Sequence, residues 1–229
     1  LLKMAEFEAR PFEELFQQTK ALMWEALIPP DGKFTVTGPS VRSQLHSVPA
    51  CQEICKKAIA SRLGEAYMME NLPETGAEYT VKVTILKDRV TLTVDTSGSG
   101  LHKRGYRVKT VAAPIKETLA AAMVQLSFWN KDRVLLDPCC GSGTIAIEAA
   151  MIGRNIAPGL SRSFACEEWE AIDKKLWKEE KKRAYDLMDD EAKLDIVGID
   201  IDKMAIEAAK ENAIEAGVDD CIRFINADM

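Results

Sequence analysis

The stretch Val134-Leu135-Leu136-Asp137-Pro138-Cys139-Cys140-Gly141-Ser142-Gly143-Thr144 decides the fold of this chain. An apolar run, a turn with two glycines and the start of an apolar helix follow one another without a break. Gly141 and Gly143 let the backbone turn tightly and come close to a ligand. With Ala146 they satisfy G-x-G-x-x-G/A, the dinucleotide fingerprint, a weak signal by itself.

Working outward, residues 115–129 read as an apolar helix, 133–137 as a short buried strand and 144–152 as a helix dominated by Ala and Ile. Residues 194–200 form a second strand. Asp202 can cap the helix that runs to Ala216, and Gly217 can end it. Residues 222–225 make a third strand. Strands alternating with helices imply a parallel sheet with crossover helices, so the second half is α/β. Residues 154–193 interrupt this rhythm with a Pro158-Gly159 turn and a charged helical stretch carrying Trp169 and Trp177. Met123 and Trp129 are expected in the core.

In such sheets ligands bind beyond the carboxyl ends of the strands. Asp137 ends the first strand, beside the glycine loop. A pyrophosphate there would meet like charge in a partly desolvated site. S-adenosylmethionine (SAM) has no phosphate, and its ammonium and sulfonium are cations that a carboxylate favours. Asp200 ends the second strand, placed to accept hydrogen bonds from ribose hydroxyls, and Ile201 can pack on adenine. Asp200 lies farther from the glycines than the usual spacing of about 20 residues, an excess that the 154–193 insertion explains. Asp228 follows the third strand and is either an acceptor for the adenine amino group or a solvated loop acid.

The first hundred residues read as α+β. Residues 5–27 suggest one or two short helices with Pro11 as a breaker, and Pro29-Pro30-Asp31-Gly32 is a turn. Phe34 and Val36 mark a short strand. Ile54, Cys55, Ala58, Ile59 and Leu63 recur at helical spacing, with Pro49 suited to the start and Gly64 to the end. Tyr79, Val81, Val83 and Ile85, then Val90, Leu92 and Val94, alternate with polar residues around Lys87-Asp88-Arg89, the pattern of a hairpin with one buried face. Ser97-Gly98-Ser99-Gly100 sets the domain boundary, giving 1–100 and 101–229.

The chain has 229 residues, 47% hydrophobic and 29% charged, enough for a real core and unlike a disordered or coiled-coil chain. No apolar run approaches the roughly 20 residues of a membrane helix, and the first residues lack a signal-peptide layout. Six cysteines without a C-x-x-C pair, and two histidines, fit reduced thiols in the cytoplasm rather than a metal site or a disulfide scaffold. His46, in a polar segment, reads as ordinary surface. Cys139 and Cys140 lie inside the cofactor loop, where small side chains and backbone approach explain them better than nucleophilic attack on a base. The net charge of −6 excludes a basic nucleic-acid coat but not a local patch. Lys103, Arg104, Arg107, Lys109 and Lys116 form such an island with no acid between residues 101 and 116, interleaved with His102 and Tyr106. A charge run of this kind is either a solvated linker or a surface that contacts RNA phosphates and stacks on bases, and its place between the two domains favours RNA.

Leu101-His102-Lys103-Arg104-Gly105-Tyr106-Arg107, Ala113 to Ala120, and Asp137 to Thr144 together resemble the THUMP-domain class I SAM-dependent RNA methyltransferases. Within them the chain is most similar to the 23S rRNA guanine-N2 methyltransferases of the RlmL/YpsC type, also labelled N6-adenine-specific methylases. Pro158-Gly159-Leu160 and Arg162-Ser163-Phe164, followed by Trp169, resemble that group's insertion, and residues 34–95 resemble its RNA-binding THUMP module. The resemblance implies a partial Rossmann-like class I methyltransferase domain, with its parallel sheet, preceded by an α+β THUMP-type domain. By it, Asp137, Cys139, Gly141 and Gly143 would surround the methionine part of SAM. Asp200 and Ile201 would take the ribose and adenine side, Asp228 the adenine, and Pro114 would line the cofactor. The partner implied is RNA, 23S rRNA first, with no metal and no membrane.

The family's N-P-P-Y-type catalytic tetrapeptide does not occur, and the chain runs to Met229 directly after the third strand. The sequence is therefore expected to be an internal excerpt whose catalytic residues lie elsewhere. The activity implied is direct methyl transfer to an exocyclic amine, guanine N2 of 23S rRNA first. N6-adenine methylation of RNA or DNA is the alternative. A catalytically inactive THUMP RNA-binding protein is a further one, and a dehydrogenase a distant last.

Overall fold

Period-two alternation produces the strands that it predicts. In the computed structural model, which describes residues 1–228, strands β4 (Glu78–Leu86) and β5 (Arg89–Asp95) pair antiparallel as a hairpin. Tyr79, Val81, Val83, Ile85, Val90, Leu92 and Val94 are all buried on one face. Lys87 and Asp88 turn the chain with φ of 51° and 63°, the left-handed pair that a two-residue hairpin of this twist demands. Strand β1 (Leu2–Glu8) pairs antiparallel with β5, while β2 (Lys33–Thr37) and β3 (Ser40–Val41) run parallel to β4, giving the order β1-β5-β4-β2 with β3 also on β4. Helix α1 (Phe12–Lys20) packs on α2 (Val48–Tyr67), which in turn packs on β2 and β4.

Two expectations for this part are corrected. Residues 2–8 form a strand where the start of a helical region was expected from residue 5. Leu, Lys, Met, Ala and Glu all favour helix locally. The open edge of β5, more than eighty residues away along the chain, supplies the backbone partners that override this preference. Gly64 lies inside α2 rather than at its end. The helix closes at Met68 (φ 53°), with the Met68 amide donating to the Glu65 carbonyl and the Met69 amide to the Gly64 carbonyl. This is the Schellman arrangement. A Cβ on Gly64 would sit 2.9 Å from the Met69 carbonyl oxygen, so the glycine makes room for the returning chain.

The chain divides into two compact units, Leu1–Ser99 with Phe164–Lys174, and Gly100–Ser163 with the chain from Lys175 onward. The insertion is thus shared out, with its middle returning to the first unit. Trp169, 1% exposed, stacks on Tyr79 at 4.9 Å between ring centroids, and its indole N–H donates to the Glu78 carbonyl at 3.1 Å. The Cys166 amide donates to the Thr96 carbonyl. A large aromatic with one donor finds here both an apolar wall and an acceptor.

In the second unit β6 (Leu135–Asp137), β7 (Ile196–Asp200) and β8 (Ile222–Asn226) form a fully parallel sheet in the order β6-β7-β8. Its helices are α3 (Glu117–Leu126), α4 (Thr144–Gly153), α5 (Lys174–Asp186) and α6 (Lys203–Ala216). Its core gathers Tyr106, Val124, Ile147, Met151, Ile196 and Ile222 among small alanines, with Trp129 packed against it. Met123, expected in the core, is 48% exposed. The expected 115–129 helix is shorter, because Ser127 accepts the end of α3 in an extended conformation. The Asp202 carboxylate caps α6 by accepting from the Met204 amide, and Gly217 ends it at φ 69°. Among the described residues no helix is long and apolar enough to cross a membrane.

Trp169→Ala is expected to destabilise the first unit by about 3 kcal/mol, the scale of a truncated buried aromatic. Urea denaturation followed by circular dichroism measures this. An unchanged midpoint would mean that the 164–174 segment contributes no packing there.

Candidate functional site

Parallel pairing aligns the carboxyl ends of β6, β7 and β8. Asp137 pairs with Gly198, and Asp200 with Asn226, so both acids emerge at one edge of the sheet. The loop after β6 is held over that edge by the Cys140 amide, which donates to the Ile199 carbonyl at 2.9 Å. The Gly141 amide donates to the Asp200 carboxylate at 2.8 Å, and the Gly143 amide closes the turn on the Cys140 carbonyl. Gly141 and Gly143 both take left-handed φ, 53° and 81°. Their roles differ. A Cβ on Gly141 would meet only Val111 Cγ2 at 3.7 Å, so its free side faces open space. A Cβ on Gly143 would lie 3.0 Å from the Ala209 Cβ and 3.1 Å from the Phe224 ring, so this glycine lets α6 and β8 pack against the start of α4.

Asp137 is 8% exposed. Burial pushes its carboxyl above the usual range and the nearby Asp200 charge adds to this, while the Cys139 amide works in the opposite direction. No cation among the described residues pairs with it. Cys140 is buried beside both acids, and burial first, then their charge, pushes its thiol up to about 12. It is a neutral thiol and not a nucleophile. Asp200 also accepts from the Asp202 amide at 2.9 Å. Ile201 is 70% exposed, and Asp228 is exposed beyond β8.

A pocket of about 250 Å³ opens between this loop and the segment before α3. Pro114, Asp137, Cys139 and Gly141 line it together. Gly143, Asp200, Ile201 and Asp228 are outside its lining, around the same strand ends.

Much of the basic island is drawn into ion pairs within the fold. Arg104 is held by Glu148 at 3.4 Å and donates to the Leu101 carbonyl at 3.0 Å. Arg107 donates to Glu117 at 2.7 Å, Ser142 Oγ at 3.0 Å, Thr144 Oγ1 at 2.9 Å and the Ile115 carbonyl at 3.1 Å. Lys109 pairs with Glu211. Glu148 and Glu117 are 2% and 5% exposed, and a carboxylate so deeply buried needs a cation. The arginines answer that need, whereas Lys103 remains exposed and unpaired among the described residues. Asn212, fully buried, completes the frame. Its carbonyl oxygen accepts from the Val108 and Lys109 amides, and its NH2 donates to the Lys109 and Ser142 carbonyls. The Asn226 side chain donates to the Asp200 and Ile201 carbonyls, both at 2.9 Å, shaping the turn after β7. Sequence reasoning missed Glu117, Glu148, Asn212 and Asn226. For Glu148 a signal existed, since a carboxylate within Ile147-Glu148-Ala149-Ala150 has apolar neighbours on every side.

A parallel sheet with a glycine loop after its first strand and an acid ending each of the first two strands defines the class I methyltransferase fold, here following a THUMP domain. Residues 104–229 match the family described as RMKL-like, methyltransferase domain, and residues 9–95 match the THUMP domain. The chain belongs to the RMKL-like methyltransferase domain family. It is 52% identical over 225 residues to the Bacillus subtilis (strain 168) protein named RNA methyltransferase YpsC, covering 97% of this chain and 58% of that protein. It is 34% identical to the ribosomal RNA large subunit methyltransferase K/L of Psychromonas ingrahamii, over 100% of this chain and 31% of that one. The crystal structure of the methyltransferase SMU.472 complexed with SAH superposes with a TM-score of 0.93 at 44% identity, over 97% of this chain and 59% of that one. The chain therefore spans less than two thirds of each of these relatives.

Replacing Arg107 with Met is expected to cost about 3–5 kcal/mol, because Glu117 is then buried without its cation. Arg107→Met combined with Glu117→Leu should recover much of that loss. Guanidinium denaturation of the two variants measures the difference. Equal instability in both would show that the pair is not coupled.

Proposed function

We propose that this chain carries the cofactor-binding half of an RNA methyltransferase acting on large-subunit rRNA, with SAM as methyl donor. The more specific target is an exocyclic amine, guanine N2 of 23S rRNA. The observation that carries the reading is Asp137, a buried carboxylate at the mouth of a glycine loop with no cation paired to it among the described residues. The residues present fit SAM. The pocket offers one anionic group to a cationic ligand, an open side at Gly141 and an apolar wall at Pro114. The complex of SMU.472 with SAH and the names of the YpsC and K/L relatives support the same reading.

When bound, SAM supplies an electrophilic methyl group on a sulfonium. The chain's own residues bind and orient it. Asp137 attracts the cationic methionine end, while Cys139, Gly141 and Pro114 shape the space around it. Asp200 accepts from ribose hydroxyls. Each carboxylate oxygen accepts more than one hydrogen bond, so its bonds to the Gly141 and Asp202 amides leave acceptor capacity. Ile201, exposed beside Asp200, packs on adenine, and Asp228 accepts from the adenine amino group. Gly143 acts indirectly, by seating α4 against α6 and β8. Positioning of this kind is the main work of a transfer between two bound reactants.

Two experiments test this reading. The full-length protein is incubated with methyl-labelled SAM and unmodified 23S rRNA, with DNA in parallel, and the labelled nucleoside is identified. N2-methylguanosine is expected. N6-methyladenine would move the target to adenine. Absence of both label and SAM binding would leave an RNA-binding module. Asp137→Asn supplies the second test. The folded-state pKa of Asp137 lies above its unfolded value, so the folded protein binds the extra proton, and stability falls as pH rises through the folded pKa. At neutral pH Asp137→Asn removes that penalty and should raise the melting temperature. It should also weaken SAM binding roughly 10–100-fold, the scale of a lost charge-assisted hydrogen bond. Calorimetry and a thermal melt read the two effects, and unchanged SAM affinity would remove Asp137 from the site.

A further inference from the structure

Next to the cofactor pocket lies a second cleft, of about 380 Å³, and Pro114 and Ile115 line both. Its lining includes four cations, Lys103, Arg104, Arg107 and Lys116, against one carboxylate, Glu117. Arg107 is bound to that carboxylate, and Arg104 to Glu148 behind it. Lys103 and Lys116 make no ion pair among the described residues, and both are exposed. Lys116 occupies the N-cap position of α3 without capping it. The helix dipole disfavours a cation there, so this lysine costs α3 stability and needs another reason to stand where it does.

In a chain of net charge −6, two unpaired ammonium groups at one cleft concentrate positive potential where an anion is wanted. Lysine suits a phosphate as a mobile point charge and needs no fixed fork geometry. The floor made by Pro114 and Ile115 is apolar, fit for a sugar or the face of a base. His102, also in the lining, presents a ring of the kind that stacks on unpaired bases. The volume falls within the range of small-molecule sites, about 300–1,000 Å³. We propose that this cleft holds a backbone phosphate of the substrate RNA beside the target nucleotide, gripped by Lys103 and Lys116. The proposal deepens the RNA methyltransferase reading and rests on it for the identity of the strand. It moves the RNA contact away from Arg104, Arg107 and Lys109, whose charges are already used. Sharing Pro114 and Ile115 with the cofactor pocket, a phosphate held there puts its nucleotide next to the methyl donor.

The test uses the full-length protein and a fluorescently labelled fragment of unmodified 23S rRNA. Binding is followed by anisotropy across a salt series, and SAM affinity by calorimetry. Lys103→Ala combined with Lys116→Ala is expected to weaken RNA binding about tenfold or more near physiological salt. It should also flatten the slope of log affinity against log salt by about one to two, the signature of one or two lost phosphate contacts. SAM affinity should not change. Lys109→Ala, which removes a cation already paired with Glu211, should leave the slope at the parent value. A double variant with the parent slope overturns the proposal. So does a double variant that loses SAM affinity while binding RNA normally, since the cleft would then serve the cofactor. If the parent transfers no methyl group to RNA but binds it with a slope that depends on Lys103 and Lys116, the methyltransferase reading fails and the phosphate site stands.

Discussion

Arg107 is the constraint on which the second unit depends. Its guanidinium donates to the side chain that begins α3, the carbonyl just before it, the glycine loop and the first residue of α4. Ile115, Ser142 and Thr144 line one pocket from two sides, and Arg107 ties them together. A planar guanidinium can hold several acceptors at fixed angles, which an ammonium cannot. The arrangement is self-consistent because Glu117 is nearly inaccessible to water and would be costly without a cation. Asn212 adds a second anchor from α6, using its full hydrogen-bonding capacity on the chain around Val108 and on the Ser142 carbonyl.

Held in this way, the loop leaves a charge uncompensated. Asp137 sits at the end of a buried strand with Asp200 close enough to raise its proton affinity further. A protein selected for stability alone would place an amide or an apolar group there. A carboxylate kept in such a position is a preference for cations built into the site, and the loss of stability is the counterpart of affinity. The two glycines divide their work along the same line. Gly141 leaves room on the pocket side, and Gly143 leaves room for helix and strand behind it.

The charges between residues 101 and 116 show what proximity in sequence leaves out. Five basic residues in sixteen look like a nucleic-acid surface. Three of them are matched by Glu117, which directly follows the island, and by Glu148 and Glu211, which arrive only by folding. The two lysines left over line one cleft beside the pocket. Counting charges along the chain identified the region, and pairing them in space separated the structural cations from the available ones.

What the sequence determined by itself is local. Alternation along residues 78–95, the glycine loop after β6, the Asp202 cap and the Gly217 stop are each set by neighbours a few residues apart, and each is found where it was read. The acids at the strand ends belong to the same class, because parallel pairing puts carboxyl ends together whatever the side chains are. Only the tertiary structure decided the rest. Leu2–Glu8 becomes a strand because β5 offers it an edge, Trp169 leaves the insertion to stack on Tyr79, and Arg107 turns inward because Glu117 and the glycine loop await it. For the strand and for Trp169 the deciding partner is far along the chain, and for Arg107 it is Glu117 nearby together with the more distant glycine loop, so contacts that form only in the fold outweigh the local preference that the sequence displays.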